Sequence, residues 1–132
     1  MALILIVDDS PTELHVMQQM LQRHGYETVL AEDGEEEQVV SYDLGSGKVN
    51  WIVREKALYS NPMSGSGPRA TPTISEGRVI AMGGTGILKS IDLETGETLW
   101  MRDVMKDNDT EVPIYGVSSS PLVIDGLVVV NA

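Results

Sequence analysis

The chain has 132 residues, 9 Lys and Arg against 20 Asp and Glu, a net charge of −11, no Cys and no Phe. The length suits one domain and leaves no room for two ordinary ones, and 42% hydrophobic content is enough to build a core. The acidity disfavours nucleic-acid partners, and the lack of Cys excludes disulfides, thiolate zinc sites, Cys nucleophiles and iron–sulfur clusters.

The apolar run Met1–Val7 has no basic residue before it and is too short for a signal peptide, and nowhere do 18 apolar residues run together. The expectation is a cytoplasmic, non-membrane product. Leu3–Val7 reads as a strand buried on both faces. Ser10-Pro11-Thr12-Glu13 starts a helix, with Ser10 as N-cap, Pro11 in the first turn and Glu13 closing a capping box. Leu14, Met17, Leu21 and His24 line its apolar stripe, and Gly25 stops it. Tyr26–Ala31 follows as a second strand, so residues 1–37 read as a β-α-β unit with a right-handed parallel crossover. The acid run Glu32, Asp33, Glu35, Glu36 and Glu37 reads as a solvated linker or a fraying helix start.

From Gln38 the texture is all-β, with turn signals at Gly45-Ser46-Gly47, Glu76-Gly77, Gly83-Gly84, Thr95-Gly96 and Asp125-Gly126. Asn61–Pro68 and Asp107–Thr110 read as loops. One offset, 49 residues, relates Asp43-Leu44 to Asp92-Leu93, Gly47 to Gly96, Trp51 to Trp100, Gly67 to Gly116, Pro72 to Pro121 and Gly77 to Gly126. A period of that length filled with short strands is a propeller blade. Thr71–Ser75 with Arg78–Met82, and Gly86–Leu93 with Glu97–Val104, make a full blade over 71–104. A half blade (39–54) precedes it and another (120–131) follows. The expected fold class is α+β, mainly β: a flavodoxin-like β-α-β fragment, then about eight antiparallel strands of partial blades over 38–132, joined in one merged folding unit.

Ile4–Ser10, the capped helix, Gly25-Tyr26 and Ala31-Glu32-Asp33-Gly34 resemble the start of a bacterial response-regulator receiver domain. Tyr42-Asp43-Leu44-Gly45-Ser46-Gly47 with Trp51, Ile91-Asp92-Leu93-Glu94-Thr95-Gly96 with Trp100, and Ser120-Pro121 with Asp125-Gly126 resemble the quinoprotein-type (pyrroloquinoline-quinone-like) β-propeller. Neither is whole: a receiver has five strands, and a propeller of this kind about 7–8 blades. The receiver family is cytoplasmic and the propeller family commonly periplasmic, so their union implies a chimera of recombined fragments, engineered or selected in the laboratory. The receiver resemblance implies that Asp8 and Asp9 are the acid pair of a Mg²⁺ site, weak at best without the phosphoacceptor Asp. The propeller resemblance implies that Trp51 and Trp100 dock between neighbouring blades, with Pro72, Pro121, Gly77 and Gly126 structural. Quinone binding would need groups converging from many blades. His15 and His24 do not share a helix face as a chelating pair, and no base is placed to activate Ser118-Ser119-Ser120. Gly83-Gly84-Thr85-Gly86 lacks the Lys of a phosphate loop. The expected protein is therefore non-enzymatic, without cofactor, and its partner is itself: a homo-oligomer completing strands or blades. The alternative is a natural truncated signalling or scaffold module that binds another protein, with a degenerate receiver segment.

Overall fold

A computed structural model describes residues 3–6, 36–57, 59–63 and 65–131. Its strands are β1 (Leu3–Ile6), β2 (Glu37–Asp43), β3 (Val49–Glu55), β4 (Ser60–Asn61), β5 (Gly65–Ser66), β6 (Thr73–Ser75), β7 (Arg78–Met82), β8 (Ile87–Asp92), β9 (Thr98–Asp103), β10 (Leu122–Ile124) and β11 (Leu127–Val129). One helical turn, α1 (Val104–Asp107), follows β9. The chain is mostly strand and every described ladder is antiparallel. No helix among the described residues is long and apolar enough to cross a membrane.

The four-stranded sheet β6-β7-β8-β9 runs in chain order, as a propeller blade does. Its first hairpin turns on Glu76-Gly77, both at positive φ (48° and 73°). Two central residues of that hand make the two-residue turn whose twist matches the flanking strands. Asp125-Gly126 repeats it between β10 and β11, at 49° and 74°. The second hairpin is held by Asp92, whose carboxylate accepts from the Thr95 N–H (2.8 Å) and the Thr95 hydroxyl (3.0 Å). Asp43 does the same for the β2–β3 turn through Ser46. Both β2–β3 and β8–β9 shift register at one equivalent place, Ser41/Tyr42 and Ser90/Ile91.

The strand Leu3–Ile6 completes a three-stranded sheet, β1-β2-β3. Its pairing runs Leu3↔Asp43, Ile4↔Tyr42, Leu5↔Ser41 and Ile6↔Val40. In the full blade β7 pairs with β8 as Arg78↔Asp92, Val79↔Ile91, Ile80↔Ser90 and Ala81↔Lys89. With β2 shifted by 49 residues onto β8, the two ladders coincide, Leu3 falling at the place of Arg78 and Ile6 at that of Ala81. The receiver-like strand therefore stands at the position and register of a blade's second strand. The strand seen beside it is Glu37–Asp43, antiparallel. The expected helix from Ser10 to Gly25 and the parallel partner Tyr26–Ala31 lie outside the described residues, as do Asp8, Asp9, His15 and His24.

Two further segments depart from the sequence reading. The expected fourth strand of the blade stops at Asp103, which caps α1 by accepting from the Lys106 N–H (3.0 Å). The stretch expected as an open loop from Asn61 carries the short β4–β5 ladder and is tied down. Asn61 Nδ2 donates to Ile114 O (2.8 Å), the Tyr59 hydroxyl donates to the same carbonyl, and the Arg69 guanidinium lies 5.5 Å from the Tyr59 ring centre.

The core lies between sheets, in two clusters. Val39, Trp51, Val79, Ala81 and Ile91 fill the space between β2-β3 and the full blade. Ile80, Met82, Leu88 and Trp100 meet Val123, Val128 and Val130 between the full blade and β10-β11. Val39/Leu88, Trp51/Trp100, Val79/Val128 and Ala81/Val130 all differ by 49, so one inter-sheet contact is built twice.

Candidate functional site: the seam between sheets

The densest concentration of buried polar groups lies where β2-β3 packs on the full blade. The strand β8 is buried on both faces, so Lys89, between Leu88 and Ser90, is only 7% exposed, and such a charge needs a partner. Glu55, from the end of β3, supplies it at 2.7 Å. Glu37, at the start of β2, accepts from the Gly84 N–H at 3.0 Å. The glycine turn must come close for this: a Cβ at Gly83 would lie 2.1 Å from the Glu37 carboxylate. Gln38 is buried beside them, and its Nε2 has no hydrogen-bond partner among the described residues. With Pro72 these groups border a cavity of about 30 Å³, the scale of one or two waters.

The other end of the seam is aromatic. Trp51 is buried, and its indole Nε1 donates to Leu93 O across the sheets at 2.9 Å. It packs against Gly96, where a Cβ would approach Trp51 Cγ to 2.5 Å. Trp100, one period later, is partly buried against the second cluster. Pro72 and Pro121 stand beside the blade-to-blade bonds: the Thr71 N–H donates to Ser120 Oγ (2.9 Å), and the Thr73 hydroxyl donates to Pro121 O. Gly77 and Gly126 occupy the two hairpin turns.

The hydroxyls serve the fold. Ser119 Oγ accepts from the Asn131 N–H (3.2 Å), and Ser120 is bonded as above. No group of three or more His, Asp or Glu that could hold a metal ion occurs among the described residues. Lys89 and Glu55 form an ion pair at 2.7 Å. Both turn aspartates have lowered pKa values. Asp43 owes this first to the Ser46 hydroxyl, and Asp92 first to the Thr95 N–H.

A pyrroloquinoline quinone is a fused tricyclic polyanion. The seam cavity is far too small for it. An open depression of about 510 Å³ beside α1 is bordered by one cation, Lys106, and two acids, Asp103 and Glu111, without the excess of cations that three carboxylates require. Neither place fits the group.

The buried Glu37 corrects the reading of 32–37 as a solvated acid run. Glu37 is 6% exposed and bonded, and Glu36 lies 3.7 Å from Arg54 Nε; the earlier acids of the run lie outside the described residues. The signal was present in β8, where Ile87-Leu88-Lys89-Ser90-Ile91 places a cation inside an apolar strand and so calls for acids opposite.

Comparisons with known proteins bear on both parts of the chain. The family model described as outer membrane protein assembly factor BamB matches residues 12–132. Separately, 34 residues at the N-terminus are 56% identical to the protein PilH of Pseudomonas aeruginosa, covering 26% of this chain and 28% of PilH. The chain thus spans little more than a quarter of that curated relative, and the BamB-type match begins within the receiver-like segment.

Proposed function

Because the chain belongs to the family of the outer membrane protein assembly factor BamB, we propose that it is a non-catalytic scaffold of propeller repeats whose main property is folding and self-assembly. Its N-terminus is a receiver-derived fragment, which makes the chain a chimera of recombined pieces acting in the cytoplasm. The observation that carries this reading is β1: a receiver-type strand paired on β2 in the register that β7 takes on β8. A segment that has become a blade strand is working as structure, not as a phosphorylation switch.

Two experiments test the reading. Light scattering should give a mass above the 14.3 kDa of one chain, and a strict monomer at every concentration overturns self-assembly. Incubation with acetyl phosphate and Mg²⁺ should leave the intact mass unchanged, whereas a covalent phosphoprotein overturns the non-catalytic reading.

A second reading is favoured by one surface. Leu122, Ile124, Leu127 and Val129 share the outer face of β10-β11, and all four are exposed. A contiguous apolar face on a chain this acidic suits a protein partner, as in a scaffold module. Pull-down of a defined partner that Leu127→Asp abolishes would establish it.

A further inference from the structure

The hairpin β10-β11 is the full blade's β6-β7 one period later. Thr71/Ser120, Pro72/Pro121 and Gly77/Gly126 keep the offset, and the two turns share their backbone angles. In the full blade β7 pairs along its second edge with β8. The same edge of β11 carries no strand among the described residues, since β10-β11 forms a two-stranded sheet. The strand equivalent to β8 one period earlier is β2, and its edge is filled by β1 in β7's register. Thus β1, β7 and β11 are three strands fitted to one kind of seat, and the described residues offer two seats for them, on β8 and on β2.

We infer that the β2 edge is an exchangeable strand seat, closed in one chain by Leu3–Ile6 and opened to β11 of a second copy when β1 leaves. The exchanged unit is β10-β11 of one copy followed by β2-β3 of the next, which restores the order β6-β7-β8-β9 of the full blade. The β1 strand is then a built-in competitor that limits head-to-tail growth. Edge strands left unpaired drive such additions. The occupant is a second copy because Leu127–Val129 follows the same Asx-Gly or Glx-Gly hairpin that presents β7. The inference rests on the self-assembly reading but is tested apart from it.

The register names the contact. Ile80 faces Ser90 in the full blade, so Val129 of one copy should face Ser41 of the next. With no native Cys, two singly substituted chains, Val129→Cys and Ser41→Cys, can be mixed under a thiol–disulfide buffer. The expected product is the mixed disulfide, in excess over the mixture of Leu99→Cys with Ser41→Cys. Adding Ile4→Pro and Leu5→Pro to the Ser41→Cys chain should raise the yield about tenfold, because one of two consecutive N–H groups must face β2 and proline removes both. The double variant Leu5→Cys/Ser41→Cys should instead close an intrachain disulfide and block the mixed one.

No mixed disulfide above the Leu99→Cys control, with or without the prolines, overturns the inference. So does a yield that the prolines leave unchanged. Circular dichroism of each variant excludes loss through unfolding, and the Leu5→Cys/Ser41→Cys bridge provides a readout that needs no proline. An oligomer by light scattering without the mixed disulfide keeps self-assembly and removes the seat. A wild-type monomer whose proline variant cross-links keeps the seat and removes spontaneous assembly.

Discussion

Ser41 and Ser90 are both fully buried at equivalent places, yet only one is satisfied. Asn50 Nδ2 donates to Ser41 Oγ at 3.2 Å, whereas Ser90 Oγ has no partner among the described residues. The residue one period after Asn50 is Leu99, which is exposed and apolar. Leu99→Asn should return the missing donor and stabilise the protein by about 1 kcal/mol, read as a higher urea midpoint at unchanged slope. The two glycines that close the hairpins differ in the same instructive way. At Gly77 a Cβ meets nothing within 4 Å, while at Gly96 it meets Trp51; both have positive φ. Gly77→Ala should cost about 1–2 kcal/mol for the left-handed backbone alone, and Gly96→Ala clearly more, because the indole must also move. The lowered pKa values of Asp43 and Asp92 set an acid limit. Their contribution is complete above about pH 4, the unfolded carboxylate range. It is lost as pH falls through the lowered folded values, so Asp43→Asn/Asp92→Asn should flatten the acid side of the stability–pH curve.

Elements show how far the sequence could be read. The hairpins over Glu76-Gly77 and Asp125-Gly126, the turns led by Asp43 and Asp92, and the strands between them were legible, because turn chemistry and the 49-residue period specify them locally. What escaped was set by partners distant in sequence. Glu37 looked like one more acid in a run of five until Gly84, 47 residues away, gave it a hydrogen bond. The helical turn Val104–Asp107 hides behind a strand-like Trp-Met-Arg-Asp-Val, and only the Asp103 cap ends the ladder. Apolar Leu3–Val7 announced a strand but not its neighbour, since an uninterrupted apolar run fits a parallel or an antiparallel edge equally well. At this scale Trp51 is the test of the seam. Trp51→Ala should cost about 3–5 kcal/mol and free Leu93 O. Trp100→Ala should cost less, as its ring is only partly covered.

The whole molecule carries −11 charges, so copies repel one another at low ionic strength. With a screening length near 10 Å at 0.1 M salt, the associated fraction should rise with added NaCl, a trend that light scattering at two salt concentrations will show. A fall would mean that ion pairs, not strand edges, hold the assembly. Length also reads differently at this scale. The 132 residues are a receiver-like opening and about 1.9 repeat periods, and the described sheets are held by contacts repeated between neighbours.

That repetition has a consequence for how the molecule comes apart. The two apolar clusters are successive bonds in a one-dimensional row of sheets, and stability in such a row is a sum of nearest-neighbour couplings. Among the described residues the full blade is gripped from both sides, and β1-β2-β3 and β10-β11 each from one. The row should fray from its ends inward, so native-state hydrogen exchange should be slowest at Val79, Ile80 and Ile91, with the outer sheets opening first.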